Sequence, residues 1–433
     1  MAKSWSDAMR ERMTAKETGG TGRRVLAVDL GSSVLEFRLV DENINNSSYS
    51  SSRLENPTRL YGADVLSRLN NAVRLGLSGR MQAMMRDALV SAVEEGGTPW
   101  RSLSHVALAG NTAMQHLFFG LETSGLLAHP FTPQSLAALS TEIGGVPVHS
   151  FPCISAFVGG DIVAGIYDLD LVHASRPSLF VDLGTNGEII LSIPPAFRNP
   201  ALISEDLPED PHLNTLLSAS VAAGPAFEGG NISKGMPALS GAIDSLSIRK
   251  GFCRIHAVGD TLPPKGICGS GLIEAVYELY TDGIVDRHGS FVSERHRQEG
   301  FPLYARTIRE QLLLTQKDIR SLQVAKAAIC AGMWSLVSYA GLREEDIADL
   351  FLAGSFGTNL NLKKASGIGL IPEAFLSRTT LVGNTSLNGA VKLAAAGPKA
   401  IDEPVRITSR AHPVSLADSP LFREEYLKQM DLP

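Results

Sequence analysis

The first strong apolar run, Val25–Leu30 (VLAVDL), is nearly unbroken. It is followed by Gly31-Ser32-Ser33, and then by a stretch in which Leu35, Phe37 and Leu39 alternate with polar neighbours. A continuous apolar run predicts a strand buried on both faces, and an alternating run predicts a strand with one wet face. The Gly/Ser turn joins the two as a hairpin. Apolar residues at three- and four-residue spacing then predict helices over 63–77 and 81–95. A strand at His105–Ala109 meets the turn Gly110-Asn111-Thr112, which opens a short helix carrying Met114, Leu117 and Phe118. PVHSF reads as a strand and leads to Phe157–Leu169, which begins with Gly159-Gly160-Asp161.

The same grammar then restarts. Ser178–Leu183 (SLFVDL) predicts a second buried strand, followed by Gly184-Thr185-Asn186-Gly187 and a further strand at Glu188–Ser192. The pair VLAVDLGSS and LFVDLGTNG is an internal echo, which suggests two related α/β halves. SEDLPEDPH is an acidic, Pro-containing surface loop. The Gly-rich segment 224–244 predicts an ordered loop with unusual backbone angles. Phe252–Val258 reads as a strand and Gly269–Tyr280 as a helix. Thr315 opens the longest helix, with Asp318 completing a capping box. Leu322, Ala325, Ile329, Met333, Leu336 and Val337 form its apolar face, and Gly341 ends it. Strands at Leu350–Ala353 and Thr379–Val382 each end in a small-residue turn, and the second leads to a helix around Ala390–Ala395. After Pro398 the pattern reads as a strand and a polar tail.

Composition narrows the class. The chain has 433 residues, 44% hydrophobic and 19% charged, which fits two globular domains. With 39 Lys+Arg against 45 Asp+Glu its net charge is −6, which argues against partnership with nucleic acid or an anionic membrane. No apolar run is long enough to span a bilayer. The four cysteines, Cys153, Cys253, Cys268 and Cys330, form no metal knuckle or ferredoxin-type run, and a reduced, cytoplasmic setting fits them. The first 24 residues hold six basic and three acidic side chains and no apolar core, so they read as a flexible extension rather than a secretory signal.

The chemistry lies in three small-residue turns, at Asp29–Ser33, Asp182–Gly187 and Gly354–Gly357. Glycine lets backbone approach a phosphate, and amide N–H groups with Ser/Thr hydroxyls bind its oxygens. Asp29 and Asp182 each close a buried strand, where a carboxylate needs a cation or donors. Two such carboxylates suit a hydrated Mg²⁺ on a nucleotide. The other reading is of tight turns in which Asp binds turn amides. Neither a Walker A loop nor a GxGxxG fingerprint follows the first strand.

The order of these motifs resembles the actin, sugar kinase and Hsp70 superfamily of ATP-binding folds, ASKHA for short. VLAVDLGSS resembles its first phosphate loop, VGGDIVAG its first connecting helix, SLFVDLGTNGE its second phosphate loop, LFLAGSFG its adenosine motif, and GNTSLNGAVKLA its second connecting helix. A narrower resemblance covers most of the chain. NPTRLYGADVLSRL, GNTAMQHLFFG, AAGPAFEGGNISKGM, GICGSGLIEAVYEL, LTQKDIRSLQVAKAAI and LAGSFGTNL are similar to the reductive activators of corrinoid proteins. These are ATPases that return cob(II)alamin to the cob(I) state.

The resemblance implies an α/β fold of two ribonuclease H-like, actin-like ATPase domains with a nucleotide cleft between them. The expected ranges are an extension over 1–24, a first domain over 25–176, a second over 177–396 with insertions, and a C-terminal extension over 397–433. It also implies ATP and Mg²⁺, with Asp29 and Asp182 holding the metal through water. Gly31, Ser32, Ser33, Gly184, Thr185, Asn186 and Gly187 would cradle phosphates, and Gly354, Ser355 and Gly357 would line the adenosine side. Asp29, Asp161 and Asp182 are the catalytic candidates, Asp161 either orienting water or capping its helix. Typical members carry an iron–sulfur domain. The cysteine-free segments 1–24 and 397–433 lead us to expect no iron–sulfur cluster in this chain and a separate electron donor. The implied partner is a corrinoid protein or a corrinoid methyltransferase component, and a homodimer is compatible with the resemblance. A small-molecule (sugar or acyl) kinase with Asp161 as base, and a nucleotide-regulated interaction protein without catalysis, are the alternatives. GICGSG is open to either an anion or close helix packing, and His116 reads as a core histidine before a cobalt ligand.

Overall fold

The structure, a computed structural model, describes residues 23–41, 51–62, 64–199, 212–307, 311–354 and 360–433. The basic stretch up to residue 22, nearly all of the acidic loop, Ser355 and Gly357 therefore lie outside the described residues. The chain forms two compact units. One holds the described residues up to Val172 together with Thr385–Ala411, and the other holds His173–Asn384 with His412–Pro433.

In the first unit the predicted hairpin forms from β1 (Arg24–Leu30) and β2 (Val34–Asp41), with β3 (Ser52–Glu55) on its edge. β4 (Leu103–Gly110), β5 (Ser140–Ile143) and β6 (Val146–Ser150) complete a six-stranded sheet in the order β3-β2-β1-β4-β6-β5. β1 is antiparallel to β2 and parallel to β4, which is in turn parallel to β6. One face is covered by the helices Ser78–Glu95 and Thr112–Phe119, whose Met85, Leu89, Leu117 and Phe118 pack on Leu26, Val28 and Leu30.

The helices Gly160–Asp168 and Thr385–Ala396 also belong to this unit. Gly389 brings them together, because a methyl at that position would strike the Ala164 backbone. Lys392 Nζ donates to Tyr167 O at 2.6 Å and sits 4.2 Å from the Tyr167 ring centroid. His105 Nε2 lies 3.0 Å from Ala394 O.

The second unit repeats the plan. β7 (Ser178–Leu183), β8 (Gly187–Ile193) and β9 (Thr215–Val221) form an antiparallel meander. The strand Asp349–Gly354 joins β7 in parallel, and Thr379–Gly383 joins that strand. In each sheet the antiparallel meander is followed by two parallel strands beside its first strand, the ribonuclease H-like order. The long helix Gln316–Tyr339 is capped as expected: the Thr315 hydroxyl and Asp318 carboxylate exchange bonds with each other's backbone. Its apolar face, including Ile329, Met333 and Leu336, packs on Ile189 and Leu191 of β8. The segment 224–244 carries left-handed backbone at Gly224, Gly229, Asn231 and Gly241, as its composition predicts.

Two expectations change. The helix at the end of the range 177–396 packs into the first unit, not the second, because small residues on its face fit against the helix Gly160–Asp168. The segment after Pro398, read as a strand and tail, contains the helices Asp402–Ser409 and Pro420–Lys428, with only the short strand Ala411–Pro413 between them. The last helix lies on Gln316–Tyr339: Lys326 Nζ donates to Gln429 O at 2.6 Å, and Gln323 Nε2 donates to Met430 O at 2.7 Å. Among the described residues no helix is long and apolar enough to cross a membrane.

Candidate functional site

Asp29 closes β1, and the turn Gly31-Ser32-Ser33 follows it. This turn is braced from one side. Asn56 Nδ2 donates to Gly31 O at 2.9 Å, Asn56 N donates to Ser33 O at 3.0 Å, and Arg68 Nη1 donates to Ser32 O. Arg68 is fully buried and also reaches Gly62 O, at 2.8 Å. In a trans peptide the C=O and N–H point in opposite directions. Holding the carbonyls of Gly31 and Ser32 on the brace side therefore turns the amide N–H groups of Ser32 and Ser33 to the other side, where they suit an anion.

Around Asp29 the unit gathers oxygen ligands. Ser386 Oγ, at the start of the helix Thr385–Ala396, donates to Asp29 Oδ1 at 2.8 Å. The neighbouring Thr385 hydroxyl is buried without a hydrogen-bond partner. Asp161 stands in the first turn of Gly160–Asp168, and its Oδ1 accepts the Ile162 N–H at 2.9 Å. The N-cap of that helix is Gly159, so Asp161 is not the capping residue. Gly159 and Gly160 leave no room for a side chain, facing Asn111 and Thr112 on one side and Gln115 on the other. Withdrawal from water, and then the nearby Asp29 charge, push the Asp161 carboxyl up to about 7. The Asp29 carboxylate with the Ser386 hydroxyl beside it offers hard oxygen donors that fit Mg²⁺ and its waters better than a soft metal.

In the second unit, Asp182 closes β7 and the turn Gly184–Gly187 follows. Gly184 N donates to Asn186 O at 3.0 Å, which tightens the turn. A side chain at Gly187 would strike Ile329, so the turn sits directly on the long helix. Gly354 ends the parallel strand beside β7 with φ 118°, and a Cβ there would collide with Leu183. Thr185 Oγ1 donates to Glu228 Oε2 at 3.2 Å. Glu228 lies in the 3-10 turn Pro225–Glu228, and burial pushes its carboxyl above the usual range. Beside that turn is a cavity of about 250 Å³, with Ala223–Ala226 and Asn231 on one wall. Lys317, Arg320, Ser321 and Val324 of the long helix form the other.

The structure thus brings Asp29, Asp161 and the turn 31–33 into one site of the first unit. It places Asp182, the turn 184–187 and Gly354 at neighbouring strand ends of the second. The contributions of Asn56, Arg68, Ser386 and Glu228 escaped sequence reasoning, as did the cavity. Asn111, in the turn that opens the helix Thr112–Phe119, caps it by accepting the Met114 N–H at 2.9 Å. GICGSG serves close packing, since Gly271 abuts the Ile243 backbone. His116 is a buried core histidine whose Nδ1 lies 2.7 Å from Thr112 O. Burial raises the thiols of Cys153 and Cys330 to about 12 and that of Cys253 to about 11, so none of these three is a ready thiolate.

The two sheets and their strand-end turns define a protein of actin-like, ASKHA architecture. The family described as the C-terminal, ASKHA domain of RACo matches residues 212–433, and the RACo middle region matches residues 25–174. The chain belongs to the RACo family. It is 27% identical over 400 residues to the corrinoid activation enzyme RamQ of Eubacterium limosum, covering 85% of this chain and 63% of that protein. It thus spans less than two thirds of RamQ. It is 23% identical over 449 residues to the [Co(II) methylated amine-specific corrinoid protein] reductase of Methanosarcina barkeri, covering 94% of this chain and 76% of that one. The solved structure of a reductive activator for corrinoid, iron–sulfur protein superimposes with a TM-score of 0.80 at 30% identity, covering 96% of this chain and 67% of the other.

Proposed function

We propose that the protein is an ATP-driven reductive activator of a corrinoid protein or a corrinoid methyltransferase component. ATP would bring Mg²⁺, and the Asp29 carboxylate of the first unit and the Asp182 carboxylate of the second are each a hard oxygen donor that would hold the ion through water. Ser32, Ser33, Thr185 and Asn186 cradle the phosphates, with Gly31, Gly184 and Gly187 permitting close approach. Gly354 lies on the adenosine side, and the cavity between Ala223–Ala226 and the long helix takes the base, its Lys317 supplying a cationic donor. Asp161 orients the attacking water and accepts its proton as ATP and water become ADP and phosphate. Asp161 is suited to this by its place in the first turn of Gly160–Asp168 near Asp29, where burial holds its carboxyl up to about 7 in the metal-free protein.

Adding one electron to Co(II) to give Co(I) is uphill. Hydrolysis drives it if the ATP and ADP states of the protein bind the cob(II) form with different affinity. The electron comes from a separate donor, and the whole process is cytoplasmic. Membership of the RACo family supports the corrinoid partner, since the relatives' names state corrinoid activation and reduction. The observation that carries the ATPase reading is the Asp29–Ser386–Asp161 cluster, set beside a braced turn that turns amide N–H groups toward an anion. Calorimetry with ATP and Mg²⁺ tests the first step. Micromolar binding that Asp29→Asn weakens at least tenfold is expected, and no heat of binding would refute it.

A further inference from the structure

Glu228 plays no part in the reading above, yet it touches the turn on which that reading depends. Its Oε2 accepts the Thr185 hydroxyl at 3.2 Å, and the Thr185 backbone N–H also bonds to the carboxylate. Its other oxygen, Oε1, lies over Gly184, 3.6 Å from where a side chain would begin. The carboxylate thus holds the amide and the hydroxyl of Thr185, two of the donors that this turn offers a phosphate oxygen. A carboxylate and a phosphate are both anionic acceptors, and one N–H and one O–H cannot fully serve both.

The side chain is not free to drift. Pro225–Glu228 is bounded by Gly224 and Gly229, both with left-handed backbone at φ 76° and 83°. Phe227 is anchored in the core of the second unit. Gly230 N donates to Pro225 O at 2.8 Å, and Gly229 packs against the Met236 backbone. Farther along, Ser233 N donates to Asp318 Oδ1 at 2.7 Å, which ties the segment to the cap of the long helix. The same segment forms one wall of the 250 Å³ cavity.

We propose that Glu228 is a built-in competitor for the anion at the turn 184–187, so that a nucleotide phosphate must displace its carboxylate from Thr185. The inference rests on the nucleotide reading above. Glu228 then sets nucleotide affinity: it keeps the turn satisfied in the free protein and weakens binding through the like charge it leaves beside the phosphates. Displacement also passes directly to the wall of the base cavity, because Glu228 and that wall are one continuous turn.

The test is titration calorimetry of ADP with Mg²⁺ on the full chain and on its Glu228→Gln and Glu228→Ala variants, each checked for folding by its thermal transition. Gln keeps the shape and removes the charge, and Ala removes the competitor entirely. Both variants are expected to bind ADP about tenfold more tightly than the parent protein. If the parent binds ADP and both variants bind equally or more weakly, Glu228 supports the turn rather than competing at it, and the proposal is overturned while the nucleotide reading stands. If none of the three binds ADP, both fall.

Discussion

Ser386 Oγ donates to Asp29 Oδ1 at 2.8 Å across 357 positions of sequence. The bond fixes the carboxylate at the end of β1 from a helix that returns to the first unit after the chain has formed His173–Asn384 of the second. Hydrogen bonds to a charged acceptor contribute roughly 1.5–3 kcal/mol. Ser386→Ala should fold normally and lower ATP turnover about tenfold, most visibly at limiting Mg²⁺. Turnover that matches the parent protein across a Mg²⁺ titration would remove Ser386 from the site.

Asp161 carries a stability cost. Its carboxyl stands near 7 in the folded chain against 3.8 as a free side chain. Between these values the folded state holds a proton that the unfolded state has released. Stability therefore falls as pH rises from about 4 to about 7, and it is highest below that window. Asp161→Asn removes this slope and should stabilise the metal-free protein at pH 7.5 by on the order of 1–3 kcal/mol. The same variant should retain nucleotide binding and lose turnover about a hundredfold. Thermal denaturation from pH 4 to 8 decides the first point, and a variant less stable than its parent at pH 7.5 would contradict it.

Arg68 is buried beneath the first turn and bonds to Ser32 O and Gly62 O. Arg68→Met leaves those carbonyls without their donor. Destabilisation of roughly 2–4 kcal/mol is expected, together with at least tenfold weaker ATP binding. A variant with a lower Tm and undiminished affinity would show that the brace supports the fold without shaping the turn.

Gly389 packs against the Ala164 backbone with no space for a methyl group. Gly389→Ala gains helix propensity on an open surface, but here overpacking should dominate and destabilise by about 1–3 kcal/mol. Urea denaturation checks the sign. A stabilised variant would mean that the two helices are not in close contact.

Much of this fold was legible because its key elements announce themselves locally. VLAVDL and SLFVDL are buried on both faces, so their apolar runs are nearly continuous, and each passes straight into its turn. Thr315 and Asp318 signal a helix start through a bond between near neighbours. The residues that were missed act across long separations. Ser386 meets Asp29, and Arg68 meets Ser32, only because of tertiary packing, and no spacing rule links them. Glu228 was hidden in a glycine-rich stretch that read as a loop, and Thr215–Val221 was missed because its Thr and Ser residues blur the apolar pattern of a buried strand. The helix Asp402–Ser409 escaped notice because it is short and Pro404 sits in its first turn, where proline is tolerated.

The proposed function requires that nucleotide turnover drive reduction of a corrinoid cofactor. The most direct measurement follows the absorption change from cob(II) to cob(I) in a candidate corrinoid protein, with an external reductant and catalytic amounts of this chain. Conversion is expected with ATP and Mg²⁺, none with ADP, and none with the Asp29→Asn variant. Conversion that proceeds equally without ATP, or that ATP fails to promote in a corrinoid protein that binds this chain, would contradict it.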